Sequence, residues 1–101
     1  MGLVKTEKQG YERYFIYGDF VEVLADDEII SVYAVTAEDV DGADVTADVI
    51  DLGTEYVEEK RLYVRIKDGQ EASSPYKVTI RVETSSGNRW EVDGLIKIKE
   101  L

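Results

Sequence analysis

The chain has no cysteine, no histidine and a single proline among its 101 residues. Without cysteine there is no disulfide framework and no thiolate metal site. Without histidine the chain lacks the commonest general base and the commonest metal ligand. No Ser/His or Cys/His nucleophile can be built either, and no glycine-rich phosphate loop is present. The sequence therefore predicts a protein that is not an enzyme, with no catalytic residue, no metal ligand and no cofactor.

Long apolar runs are also absent. No run approaches the roughly 18–20 residues of a membrane span, and no apolar segment opens the chain, so neither a membrane contact nor Sec export is predicted. The lack of cysteine fits a cytosolic origin. The 44% apolar content and ten aromatic residues suffice for one core in one domain.

The net charge of −10 is unevenly distributed along the chain. Residues 19–59 contain fourteen acidic residues and no Lys or Arg, whereas nine basic and six acidic residues follow from Lys60 onward. This balance disfavours a phosphate-binding surface, so nucleic acid is excluded as a partner. Two interpretations stay open: a solvated acidic surface, or complementary patches between copies or between different proteins.

Strict alternation of apolar and polar side chains marks the C-terminal third. Residues 76–84 alternate over nine positions, a turn follows at 85–88, and residues 90–99 form a second strand. Together they predict a long antiparallel hairpin.

Shorter strands are predicted before this hairpin, and residues 1–10 are predicted to form a flexible N-terminal arm that adds at most a short edge strand near Leu3 and Val4. The segment 29–37 is apolar on both faces and is expected to be central in its sheet. About seven strands with turns every 8–12 residues predict one Ig-like antiparallel β-sandwich over residues 11–101, with a small barrel as the alternative. The predicted strands are 11–17, 20–24, 29–37, 45–52, 61–67, 76–84 and 90–99.

Tyr76 stands at the start of the penultimate strand, where a tyrosine corner would place it. Its hydroxyl would then bond to the backbone of the preceding loop. The alternative is an ordinary tyrosine of the core or its rim.

Two further groups of residues admit a binding role. Asp39, Asp41 and Asp44 follow a strand, and clustered carboxylates on a turn suit calcium. Because the segment lacks the EF-hand spacing of Gly and Glu, a looser loop site and a plain acidic turn both remain open. The second group is aromatic. Its residues form either a sugar- or partner-binding face or a part of the core and its edge: Tyr11, Tyr14, Tyr17, Phe20 and Trp90.

Three segments resemble a known family. Residues 19–30 are similar to a "DFxxxLxxGDxI" opening, and residues 76–91 to a "YxVTxRVTTSxGRxxE" hairpin; residues 41–50 are the third segment. The family is the phage fiber–tail adaptor family, Ig-like β-sandwich proteins of about this length. The chain departs from the pattern at Asp27 and Glu28, where the family has Gly-Asp, and it lacks a glycine in residues 71–75.

The resemblance implies a non-enzymatic virion structural protein, a tail or head–tail adaptor located in the virion and, during assembly, in the host bacterial cytoplasm. Its implied partners are other tail or neck proteins and further copies of itself in a ring. The alternative is a stand-alone Ig-like binding module for carbohydrate or calcium. In a ring, one patch meets a different patch of the next copy. The hypothesis places the acidic patch in residues 19–59, with Asp39, Asp41 and Asp44 as its named interface residues, and the basic patch at Lys60, Arg61, Arg65, Lys67 and Arg89.

Overall fold

A computed structural model describes residues 2–3 and 6–99, which contain eight strands in two four-stranded sheets. Six of these strands lie beyond residue 10, where about seven were expected. A short α-helix, α1 (Thr46–Val49), and a 3-10 turn (Glu71–Ser73) complete the regular structure. The strands are β1 (Gly2–Leu3), β2 (Thr6–Lys8), β3 (Tyr14–Asp19), β4 (Ile30–Glu38), β5 (Tyr56–Glu58), β6 (Arg61–Ile66), β7 (Tyr76–Thr84) and β8 (Arg89–Ile98).

Sheet I has the strand order β1-β3-β6-β5, and sheet II has the order β2-β8-β7-β4. All neighbours are antiparallel except β2 and β8, which run parallel. The predicted hairpin is confirmed as β7 and β8, which pair from Tyr76 opposite Ile96 to Glu83 opposite Arg89.

The core fills the space between the two sheets, because alternate residues of each long strand point inward. In β7 the buried positions are those predicted from the alternation. Gly18 of β3 also faces inward, and a Cβ there would lie 3.0 Å from Cγ2 of Val92, so the two sheets approach each other closely at this point. The fully buried large side chains are Phe20, Ile50, Leu62, Ile66, Ile80, Ile98, Val64 and Val78.

The sandwich has two ends, which we name by their contents. The hairpin end contains the β7–β8 turn, the 20–29 loop and the β5–β6 turn. The last two are neighbours, because the backbone N–H of Phe20 donates to the carbonyl of Lys60 at 3.1 Å. The corner end contains the 39–45 loop and the loop before Tyr76, since the N–H of Val40 donates to the carbonyl of Ser73 at 2.9 Å.

Two predicted strands are wrong. Residues 20–24 form turns in which the N–H groups of Val23 and Leu24 both donate to the carbonyl of Phe20. The chain must leave sheet I and enter sheet II here, so Phe20 and Leu24 plug the hairpin end instead of extending a strand. Residues 45–52 form α1 and a single bridge from Ile50 to Ile66.

One strand was missed, and the position of another was predicted wrongly. All three residues of β5 are exposed, so its sequence shows no alternation, and none of the predicted strands contains it. The segment predicted to be central is β4, which pairs only with β7 and ends sheet II in the described part of the chain. Both of its faces are apolar although it is an edge strand. A bulge between Ile30 and Val32 shifts the alternation of side chains by one residue, so Ile30 points to the same inner face as Tyr33.

The N-terminal residues contribute to both sheets. β1 pairs with β3 in sheet I, and β2 pairs with β8 in sheet II. Leu3 of the predicted edge strand lies in β1, and Val4 lies outside the described residues. The buried Lys8 donates from Nζ to the carbonyls of Gln9 and Glu12, both at 2.8 Å. The division of the chain at residue 10 stays a prediction, but residues 2–3 and 6–8 are paired strands. Along the described residues, no helix has the length and apolar character to cross a membrane.

Candidate interaction surfaces

The outer face of sheet I carries a cluster of four aromatic side chains, which we call the aromatic cluster: Phe15, Tyr17, Tyr56 and Tyr63. Tyr17, Tyr63 and Tyr56 form one row, because the register places Tyr63 opposite both of the others. Tyr56 and Tyr63 stack with ring centroids 4.8 Å apart and planes 6° apart. Phe15 meets Tyr56 edge-on at 5.5 Å, and Tyr17 lies 5.3 Å from Tyr63.

The aromatic cluster is open to solvent at its margin and bordered by charge. Phe15 is 44% and Tyr56 41% exposed. The guanidinium of Arg61 lies 5.0 Å from the Tyr17 ring centroid, within cation–π range. A hydrogen bond with Tyr63 raises the pKa of Arg61, and the charge of Asp19 adds to this effect. The surface thus combines large apolar rings with a fixed positive charge.

Of the five aromatic residues expected from the sequence, only Tyr17 belongs to this cluster. Phe20 is fully buried, Tyr14 and Trp90 pack against the core, and Tyr11 is exposed apart from it. The prediction missed Phe15, Tyr56 and Tyr63 because they come from three different strands. The available signal was the alternation of apolar and polar residues in 61–67, which predicts that Tyr63 and Arg65 point outward.

The basic residues of the predicted interface do not form one patch. Lys60, Arg61 and Arg89 lie at the hairpin end, Arg65 lies on the outer face of sheet I, and Lys67 follows β6 at the corner end. Three pair with acidic residues of the same chain, and Lys60 donates to a backbone carbonyl. The contacts are Arg61 to Asp19 (3.4 Å), Arg65 to Asp51 (2.5 Å), Arg89 to Glu83 (2.8 Å) and Lys60 to the carbonyl of Ala25 (2.7 Å).

The acidic residues of the predicted interface lie together in the 39–45 loop at the corner end. Asp39 Oδ1 accepts from the N–H groups of Asp41 and Ala43, at 2.9 and 3.0 Å. Asp44 Oδ1 accepts from the N–H and the hydroxyl of Thr46, and these bonds lower the pKa of Asp44. These carboxylates shape the loop, and the described residues contain no group of three acidic, His or Cys side chains arranged for a metal.

The acidic and the basic half of the sequence are neighbours in sheet I. β3, from the acidic half of the chain, pairs with β6 from the basic half, and the Asp19–Arg61 contact joins them. The interface roles of these residues stay a prediction.

Tyr76 makes the contact predicted for a tyrosine corner. Its hydroxyl accepts from the N–H of Gln70 at 2.9 Å and donates to the Gln70 carbonyl at 3.5 Å. Tyr76 is buried, and a Cβ on Gly69 (φ +104°) would lie 2.9 Å from Ile98 and 3.3 Å from the Tyr76 ring. Glycine at this position lets the loop approach the ring closely.

A buried carboxylate closes the hairpin end, and little in the sequence pointed to it. Glu28 is 3% exposed and accepts from the hydroxyl of Thr84, the amide of Asn88 (3.0 Å) and the N–H of Ala25 (3.0 Å). The Thr84 bond, followed by the Ala25 bond, lowers the pKa of Glu28 against the effect of burial. The one available signal was its place in the resembling pattern, where the family has an acidic residue.

A groove of about 420 Å³ runs along the outer face of sheet II beside the edge strand β4. Its floor includes Val32 and Ala34, which lie opposite Glu83 and Arg81. Its charged wall consists of two ion pairs, Arg81–Glu91 at 2.5 Å and Arg89–Glu83 at 2.8 Å. Sequence reasoning missed this groove because it placed β4 inside the sheet.

Comparison with known proteins supports the fold and no finer assignment. No protein-family profile and no curated protein matches the chain. A chain of the crystal structure of Drosophila Dpr1 IG1 bound to DIP-eta IG1 is 17% identical over 98% of this chain and 91% of that chain, with a TM-score of 0.49. A chain of the structure of Dpr11 IG1 bound to DIP-gamma IG+IG2 is 8% identical, with a TM-score of 0.53; the match covers 97% of this chain and 48% of that one.

This chain thus spans about half the length of the second structural neighbour. The strand orders also match an immunoglobulin domain, since sheet I corresponds to A-B-E-D and the β8-β7-β4 part of sheet II to G-F-C. The tyrosine corner then falls at the start of strand F, as expected. The chain is an Ig-like β-sandwich.

Proposed function

We propose that this chain is a non-enzymatic protein-binding subunit of a phage or prophage virion, acting as a tail or head–tail adaptor. It resides in the virion and, during assembly, in the host bacterial cytoplasm. Its partners are other tail or neck proteins and further copies of itself. The resemblance of residues 19–30 and 76–91 to the fiber–tail adaptor family supports the virion assignment.

The single observation that supports protein binding is the aromatic cluster. Tyr, Phe and Arg are enriched in protein interfaces, where rings offer a large contact area for little conformational entropy. Here the rings already contact one another, so little side-chain freedom remains to be lost on binding. In the neighbouring structure, Dpr11 IG1 is bound to another Ig-domain protein, which accords with a protein partner for a sandwich of this type.

No specific observation favours the carbohydrate or calcium alternative. Stacking of Tyr56 on Tyr63 covers one face of each ring, and Phe15 lies edge-on against Tyr56, so less ring face remains for stacking on a sugar. The carboxylates of Asp39 and Asp44 are engaged by the backbone of their own loop. Both alternatives are nevertheless outcomes of the test.

The first experiment is quantitative mass spectrometry of purified particles from an induced host lysogen. We expect this chain at a fixed ratio to the tail tube subunit, between a few and a few dozen copies per particle. Its absence from particles while it is abundant in the lysate would overturn the virion assignment. Stabilisation of the purified chain by a glycan or by calcium would then favour the alternative, because a ligand of the native state raises the melting temperature.

A second experiment tests the aromatic cluster in the same particles. We expect Tyr56→Ala to reduce incorporation strongly, because its ring contacts both Phe15 and Tyr63. The matched control is Leu52→Ala, which truncates another exposed apolar residue outside the cluster. Melting temperatures of both purified variants separate lost binding from lost folding. Normal incorporation of Tyr56→Ala would show that the cluster is not the binding surface.

A further inference from the structure

Between Val32 and Thr36 the edge strand β4 lacks the protection that natural edge strands usually carry. Residues 30–37 contain no charged residue and no proline, although 34% of the chain is charged. Exposed edges are normally blocked by charges, proline, bulges or a covering segment, because their free N–H and C=O groups recruit other strands. The bulge of β4 lies at its start, before Val32, which leaves the following residues flat and open.

The backbone of β4 offers hydrogen bonds at two positions. Ala37 bonds away from β7: its N–H donates to Thr46 Oγ1 at 2.9 Å, and its carbonyl accepts from the N–H of Val45 at 3.0 Å. Alternate residues of a strand point their backbone groups to the same side. Tyr33 and Val35 therefore also direct their N–H and C=O groups away from β7, and no described residue pairs with them there.

The side chains around these positions are apolar and exposed. Val32 is 58% and Tyr33 39% exposed, and Val32 and Ala34 belong to the groove floor. Two more exposed apolar residues flank the strand, Ile29 at 61% just before it and Val40 at 52% just after it. The free edge and the apolar surface thus coincide.

We propose that β4 pairs with β4 of a second copy of this chain, antiparallel, about a twofold axis through Ala34. The two residues with free backbone groups, Tyr33 and Val35, stand one position on either side of Ala34. In this register Tyr33 of one copy faces Val35 of the other, and each such pair exchanges two N–H···O=C bonds. The pairing is limited to residues 32–36, because Val45 and Thr46 already occupy the edge at Ala37. It joins the two sheets II into one eight-stranded sheet.

The side chains of β4 are complementary to themselves in this register. Ala34 faces Ala34 of the second copy, which suits the close approach of a pair without backbone hydrogen bonds. Val32 faces Thr36 of the second copy, and Tyr33 faces Val35, which are β-branched and aromatic–β-branched cross-strand pairs. No two like charges face each other across the axis between residues 32 and 36. This self-complementarity, not the apolar surface alone, identifies a second copy as the occupant.

Such a contact is isologous, and it joins two chains without generating a ring. It is therefore separate from the heterologous contact that the proposed adaptor ring requires. It also does not depend on the virion assignment, since it is measured on the purified chain alone.

The test is sedimentation velocity of the purified chain over a concentration series, with charges placed at the axis. We expect the wild-type chain to dimerise and Ala34→Lys and Ala34→Glu each to weaken dimerisation at least about tenfold, because two like charges then face each other. An equimolar mixture of the two variants should restore dimers, since Lys then faces Glu. Leu95→Lys and Leu95→Glu are matched controls on the same outer face, away from the edge, and should dimerise like the wild type.

Three outcomes would overturn the proposal: a wild-type chain that is monomeric at every concentration, a folded Ala34→Lys variant that dimerises normally, or a mixture that shows no rescue. If the variants fail to fold, hydrogen exchange of the wild type decides. The amides of Tyr33 and Val35 should be protected at high concentration and exchange faster on dilution, while the amide of Thr36, which is paired with β7, should not change. Concentration-independent exchange at Tyr33 and Val35 would contradict the pairing.

Discussion

The two ends of the sandwich are each closed by one buried polar side chain, but of different chemistry. At the corner end a neutral hydroxyl, that of Tyr76, bonds to the backbone of Gln70 six residues earlier. At the hairpin end a carboxylate, that of Glu28, bonds to Thr84 and Asn88, which are 56 and 60 residues away in sequence. The first contact is local, and the second joins distant parts of the chain.

This difference decides how each of the two contacts responds to pH and how well it could be foreseen. The Tyr76 contact contains no carboxylate, so the protonation of carboxyl groups in acid should leave this contact unchanged. The carboxylate of Glu28 loses acceptor capacity when it is protonated, so the contact at the hairpin end should weaken at low pH. A local contact at a recognisable strand start can be predicted from a sequence; a contact across 56 residues cannot.

The largest effect should come from Phe20→Ala, which removes the apolar plug beneath the hairpin end. Phe20 is fully buried, so we expect a loss of about 3–5 kcal/mol in the free energy of unfolding. Chemical denaturation of the purified chain measures it. Phe15→Ala, which truncates the same residue type on the exposed side of β3, should cost clearly less. Equal losses would show that the hairpin end does not depend on this packing.

Glu28→Gln should have the next largest effect and should change the pH dependence of stability. Because folding lowers the pKa of Glu28 below its ordinary value of 4.5, its ionised form stabilises the native state. That contribution is complete above the unfolded-state pKa and is lost as the pH falls through the folded-state pKa. Melting temperatures between pH 7 and pH 3 should therefore fall less steeply for Glu28→Gln than for the wild type.

Two comparisons make the Glu28 prediction decisive. At pH 7 Glu28→Gln should be less stable than the wild type, and the difference should shrink toward pH 3. Asp26→Asn, a substitution of another acidic residue in the same loop that is exposed, is the matched control and should keep the wild-type slope. Parallel curves for Glu28→Gln and the wild type would rule out a stabilising role for the ionised form.

Tyr76→Phe should have the smallest effect of the three and no added pH dependence. It removes the hydroxyl that accepts from Gln70 and leaves the ring buried, so we expect a loss of about 1 kcal/mol. The same denaturation series at pH 7 and pH 4 measures it. Tyr11→Phe removes a hydroxyl from an exposed ring and should be neutral. A loss for Tyr76→Phe that grows at pH 4 would contradict the contrast between the two ends.

Sequence patterns predicted the elements whose signal is local. The β7–β8 hairpin, the strand at 61–67 and the backbone contact of Tyr76 all follow from alternation and position within one or two strands. β5 was missed because all of its residues are exposed, and residues 20–24 were misassigned because apolar residues that plug the end of a sandwich resemble a short strand. Of the candidate surfaces, only Tyr17 in the aromatic cluster was anticipated, because the cluster is assembled from three strands that are distant in sequence.

By itself the sequence determined an all-β fold, an Ig-like sandwich or a small barrel, because a period of two, frequent turns and the lack of helical periodicity leave few other ways to bury the apolar residues. It also determined the β7–β8 hairpin and the place of Tyr76. Only the tertiary structure decided which strands lie at sheet edges and which charges meet. Strand order joins residues far apart in the chain, so β4 became an open edge and the acidic and basic halves became neighbours.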